Sequence, residues 1–175
     1  MEEKSTFSLA LKPGLIISGA LVAYSLVLWA TIPDMESQKY FGWVNYLIMA
    51  AGFYYYASLY RNEHKNTGFT FGDGFIFMLY MTIVISLVQA VYTYVLMTWL
   101  DPAMVQKLLD QATEEMYKKD LPEEQIEQSL KIVSFMFKPW FMSIMSIFGN
   151  MIGGIILGLI MSLFTKKEAP VQFDN

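Results

Sequence analysis

The stretch from Phe75 to Leu100, FIFMLYMTIVISLVQAVYTYVLMTWL, contains no charged side chain. A helix needs only ~20 apolar residues to cross a hydrocarbon core ~30 Å thick, at ~1.5 Å rise per residue. An amphipathic helix of a soluble protein carries Lys or Glu on its outer face at regular intervals, and this stretch carries none. Working outward, Gly14–Ile32, Phe41–Tyr60 and Pro139–Phe164 are equally free of charge. The expected fold class is therefore all-α, a four-span transmembrane helix bundle with spans at 14–32, 41–60, 75–100 and 139–164.

Composition supports the bilayer as the solvent. The chain has 175 residues, 55% of them hydrophobic. A single domain of that length has little interior in which to hide four wholly apolar helices. The absence of Cys excludes disulfides, Cys-ligated zinc and thiol catalysis. With one histidine, His64, no conventional zinc site can be assembled, and no metal or cofactor is expected. A net charge of −4 argues against nucleic acid as a partner.

Residues 101–138 form the one large polar insertion. Asp101 followed by Pro102 reads as an N-cap with proline at the first helical position. Apolar residues at Met104, Val105, Leu108, Leu109, Ala112 and Met116 then follow helical spacing. Pro122, Glu123 and Glu124 open a second helix, with Ile126, Leu130, Val133 and Phe137 on one face. Glu114 with Lys118, Glu115 with Lys119 and Glu127 with Lys131 are i,i+4 pairs in the favourable order. The spacing predicts an extramembrane amphipathic helical hairpin between spans three and four. Its eight acidic residues outnumber five basic ones, so attraction to anionic lipid is not its reason for existing.

Polar residues inside the spans are few. Thr82, Ser86, Gln89 and Thr93 recur at helical spacing on one face of span three, and Asn150 sits near the middle of span four. These five are the candidate polar interior. They read as hydrogen bonding within the bundle or as a permeation path, and Gln89 is expected to meet Asn150. Gly149, Gly153, Gly154 and Gly158 make overlapping small-xxx-small signals, the candidate helix-packing surface. At the link before span three, Asp73 reads as a helix-terminus carboxylate or as a partner of Arg61, His64 or Lys65. No ionisable group lies inside the four charge-free stretches, and no Ser, Thr or Tyr there has a base in reach. No catalytic residue is assigned, and an enzyme is not expected.

The four spans, the glycine-bearing link Gly68-Phe69-Thr70-Phe71-Gly72-Asp73-Gly74-Phe75 and the proline-led segment at Asp101-Pro102 resemble the DUF4199 family over residues 8–165. The resemblance implies a small bacterial inner-membrane protein, mostly of Bacteroidota, and brings no catalytic residues with it. Lys4, Lys12, Arg61, Lys65, Lys166 and Lys167 would share one side of a four-span protein. The positive-inside bias makes that side cytoplasmic, with both termini there and the hairpin outside. The expected function is non-enzymatic: binding or stabilising a partner protein through the hairpin, with a homo-oligomer only where the glycine ridge of span four serves dimerisation rather than packing inside the monomer. A small transporter or channel along the polar face is the other reading.

Overall fold

The computed structural model describes residues 5–32, 35–63, 68–119 and 122–167. Among these residues, all named elements are helical. They are α1 (Thr6–Thr31), α2 (Met35–Lys39), α3 (Trp43–Glu63), α4 (Phe71–Val95, continued by a π-helical turn at Leu96–Leu100), α5 (Met104–Tyr117), α6 (Glu123–Met136) and α7 (Pro139–Thr165).

Three helices are long and apolar enough to cross a membrane: Thr6–Thr31, Phe71–Leu100 and Pro139–Thr165. Four were expected, and by composition α3 is the one that falls short. Helix α3 has the length, but Asn45, Gly52 and Tyr46, Tyr54, Tyr55, Tyr56 and Tyr60 lower its apolar character. A charge-free sequence is not the same as an apolar one, because amide and phenol groups still prefer water.

Helix boundaries moved outward. Helix α1 begins at Thr6, ahead of the expected start at Gly14, because Ser5 caps it by accepting from the Ser8 amide at 3.3 Å. Lys12 is thereby helical. Helix α4 begins at Phe71, ahead of Phe75. Asp101 does not open α5. Its amide closes the π-turn on the Leu96 carbonyl at 2.7 Å, and its carboxylate pairs with Lys107 at 3.0 Å. The residue therefore terminates α4, and α5 starts at Met104 without a side-chain cap.

The chain divides into two compact units, residues 1–88 with 149–175, and residues 89–148. In the first, close approaches define the helix directions. Gly74 lies against Thr165 and Ser162, Gly158 against Phe75 and Met78, and Gly154 against Thr82, so α4 and α7 are antiparallel. Gly14 lies against Val84 and Met81, and Phe7 meets Tyr80 edge-on at 5.5 Å, so α1 and α4 are parallel. Gly52 of α3 rests on Ile17 of α1, Gly153 of α7 approaches Tyr46, and Arg61 reaches Thr165. Helix α3 thus runs beside α7 and opposite to α1. The core is Ile17, Leu21, Met49, Phe53, Phe77, Met78, Met81 and Ile85, with Ala10 and Ala57 where backbones come close.

In the second unit α5 and α6 pack against one another. Glu123 and Glu124 occupy the first turn of α6, where the helix dipole favours acids. Lys118 pairs with Glu114 at 2.8 Å and Lys131 with Glu127 at 3.1 Å. The Lys118 ammonium, by its hydrogen bond and charge, holds the Glu114 carboxyl below the usual range. Asp120 and Leu121, between the two helices, lie outside the described residues.

Candidate functional site

One group of polar side chains in the first unit, Arg61, Thr70, Asp73 and Thr165, lies at the end where α3 finishes, α4 starts and α7 finishes. Gly68, at φ 75°, turns the chain in the left-handed region that an L side chain rarely adopts. Phe69 then exchanges two backbone hydrogen bonds with Lys167, at 2.8 and 2.7 Å. Thr70 caps α4 and Asp73 completes a capping box. The Asp73 carboxylate accepts from the Thr70 amide at 2.8 Å and from its hydroxyl at 2.6 Å. In return the Asp73 amide donates to Thr70 Oγ1 at 3.2 Å. The Thr-x-x-Asp spacing was the signal for this arrangement. His64 and Lys65, the suggested partners of Asp73, lie outside the described residues.

Arg61 goes elsewhere. Its Nη1 donates to the carbonyl of Thr165, the last residue of α7, at 3.2 Å. A guanidinium there satisfies a terminal carbonyl and complements the negative end of the helix dipole. Arg61 Nε and Ser58 Oγ, one turn apart on α3, are buried without a hydrogen-bond partner among the described residues. Arg61→Ala should destabilise this end by about 1–2 kcal/mol, the range for a charge-assisted bond and a dipole contact. Hydrogen exchange at the Phe69 and Lys167 amides should quicken. Arg61→Lys should restore the charge but not the planar fork. Unchanged exchange in Arg61→Ala would show that the contact holds nothing in place.

Two hydroxyls of the polar row are spent locally. Thr82 donates to the Met78 carbonyl at 2.9 Å and Ser86 to the Thr82 carbonyl at 2.7 Å, both side chains fully buried. Ser18 and Ser162 likewise bond carbonyls four residues back, each at 2.6 Å. Such back-bonding lets a hydroxyl sit in an apolar core without a second helix. Gln89 and Thr93 fall in the second unit and Asn150 in the first. Gln89, Thr93 and Asn150 are each half-buried. Of the glycines, Gly154 and Gly158 face α4, Gly153 faces Tyr46 of α3, and Gly149 meets no atom within 4 Å. Among the described residues no three His, Cys, Asp or Glu side chains cluster as a metal site.

A groove that sequence reasoning missed lies between α1 and α3 with Phe77 of α4 beneath it, about 450 Å³ in volume. Lys12 and Glu63 stand at its polar end, and Tyr55, Tyr56 and Tyr60 along its α3 side. No local signal joins residues 8–16 to residues 55–63. Only the antiparallel pairing of the two helices brings them together.

Among the described residues the elements are helical, and three of the helices have the length and apolar composition that fit a lipid bilayer. The chain is a member of the DUF4199 family, described as a protein of unknown function, whose model matches residues 12–167. Comparison with curated proteins and with solved structures gave no match.

Proposed function

We propose that this is a non-enzymatic integral membrane protein that binds a partner protein through α5 and α6, arranged as an extramembrane hairpin. The observation that carries the reading is a second apolar row on α6, in which Phe135 touches Trp140 and Phe141 while Ile132 stays largely open. On α6, Ile126, Leu130, Val133 and Phe137 are the more buried side, yet Ile132, Phe135 and Met136 form a second row at i, i+3, i+4 that stays exposed. Ile132 is 64% exposed. A hairpin needs one apolar face to fold, and a second one is in excess of that need. The transporter reading is weaker because the Thr82 and Ser86 hydroxyls are already bonded within α4.

A photo-crosslinking residue at Ile132, in the full chain in membranes, tests this reading. The expected product is an adduct with another protein, reduced about tenfold by Phe135→Glu with Met136→Glu, the equivalent of ~1.4 kcal/mol. An adduct with a second copy would make the partner this chain itself. Adducts with lipid alone would defeat the proposal.

Helix α3 crosses the bilayer with the three apolar helices in this proposal. Its support is direction: α1 and α4 run parallel, so a chain that crosses with both must return between them, and α3 is the helix that runs back. Both termini then face the cytoplasm of a bacterial inner membrane. A phosphatase fused at the C-terminus should be inactive and a cytoplasmic reporter active. The reverse result would invert the topology.

A further inference from the structure

The groove between α1 and α3 is the feature that the partner-binding reading leaves unused. Its lips are formed by Ile16, 48% exposed, and by Leu59 and Tyr55, 46% and 62% exposed. In a bilayer these side chains face lipid, so the groove opens sideways into the membrane. Its polar end lies near the helix termini: Lys12 is in the second turn of α1 and Glu63 is the last residue of α3. Ile16 and Leu59 lie about one turn further in, ~5–6 Å deeper at the helical rise. The floor is rigid, with Tyr60 stacked on Phe77 at 4.4 Å. Tyr55 and Tyr56 are locked edge to face at 5.0 Å.

The charges decide the occupant. Lys12 and Glu63 line one groove, yet neither forms an ion pair among the described residues. A cation and an anion facing one cleft without pairing complement a ligand that carries both charges. An anionic headgroup alone would meet the Glu63 carboxylate, and a cationic one alone would meet Lys12. The volume of about 450 Å³ falls within the ~300–1,000 Å³ typical of small-molecule sites.

We propose that this groove binds a phospholipid with a zwitterionic phosphate–ammonium headgroup. Lys12 takes the phosphate, Glu63 takes the ammonium, and the Ile16–Leu59 end takes the first methylenes of an acyl chain. Lysine suits the task because its stem can lie along apolar surface while the ammonium reaches the headgroup level. The inference rests on the membrane reading but not on the hairpin's partner.

The test is native mass spectrometry of the full-length protein in mild detergent, with phosphatidylethanolamine and phosphatidylglycerol offered at equal concentration. The expected result is retention of phosphatidylethanolamine about tenfold over phosphatidylglycerol. Glu63→Gln should abolish that preference, Lys12→Ala should weaken both lipids, and Ile16→Trp, which fills the groove, should expel them. Equal retention of the two lipids by the unmodified protein would overturn the assignment. So would phosphatidylethanolamine binding unchanged in all three variants. Displacement of the lipid by free phosphoethanolamine at equal concentration would show a soluble solute site and overturn it too. Whether the chain leaves cell membranes only with detergent tests the membrane reading separately.

Discussion

Gly154→Ala is expected to destabilise the first unit by about 1–3 kcal/mol, the range for overpacking a tight core, and Gly154→Leu by more. A β-carbon at 154 would overlap Thr82, reaching Oγ1 at 2.6 Å and Cβ at 3.0 Å. Thr82 cannot simply turn aside. It is β-branched, and its hydroxyl is bonded to the Met78 carbonyl at 2.9 Å. The backbones of α4 and α7 must separate instead, and in lipid close backbone approach is much of what holds helices together. Gly149→Ala is the control, since nothing lies within 4 Å of that position. It should be neutral or slightly stabilising. Thr82→Ala should recover most of the loss in Gly154→Ala, as a double-mutant cycle would show. Unfolding in detergent followed by tryptophan fluorescence measures all of these variants. Equal losses at positions 149 and 154 would mean that α7 packs by some other ridge.

The second large effect concerns Phe53, which is fully buried at the centre of the α1–α3–α4 core. In a water-soluble protein Phe→Ala at such a site costs about 3–5 kcal/mol. Part of that is transfer of the ring from water. If α3 stays in the bilayer when the bundle comes apart, Phe53 passes from protein to lipid and the transfer part vanishes. What remains is lost dispersion contact around a cavity, about half of the aqueous figure. Phe53→Ala is therefore expected to cost about 1.5–2.5 kcal/mol in bilayer discs, with half-exposed Tyr54→Ala near zero. A loss of the full aqueous size would place α3 in water on unfolding and remove it from the membrane-crossing set.

Length and apolarity are local properties, and they were legible. The charge-free runs at 75–100 and 139–164 became the apolar helices Phe71–Leu100 and Pro139–Thr165. Helix boundaries set by caps were less so. Ser5 and Thr70 are ordinary polar residues whose capping role shows once the chain turns. Helix α3 is the instructive case. Counting charges made Phe41–Tyr60 equal to its neighbours, whereas its phenols and amide made it less apolar than they are.

What the sequence by itself determined is the fit to lipid: long apolar runs produce helices that satisfy their own backbone and tolerate a bilayer. It determined the family as well, whose model matches residues 12–167. Only the tertiary structure decided which small residue is critical. Gly149 and Gly154 look alike in sequence, but one meets open space and the other meets Thr82. It also decided the destination of Arg61, which crosses to the end of α7, and the placing of Lys12 and Glu63 along one groove. Contacts between residues far apart in the chain depend on how helices pair, and helical periodicity names a face without naming the neighbour that covers it.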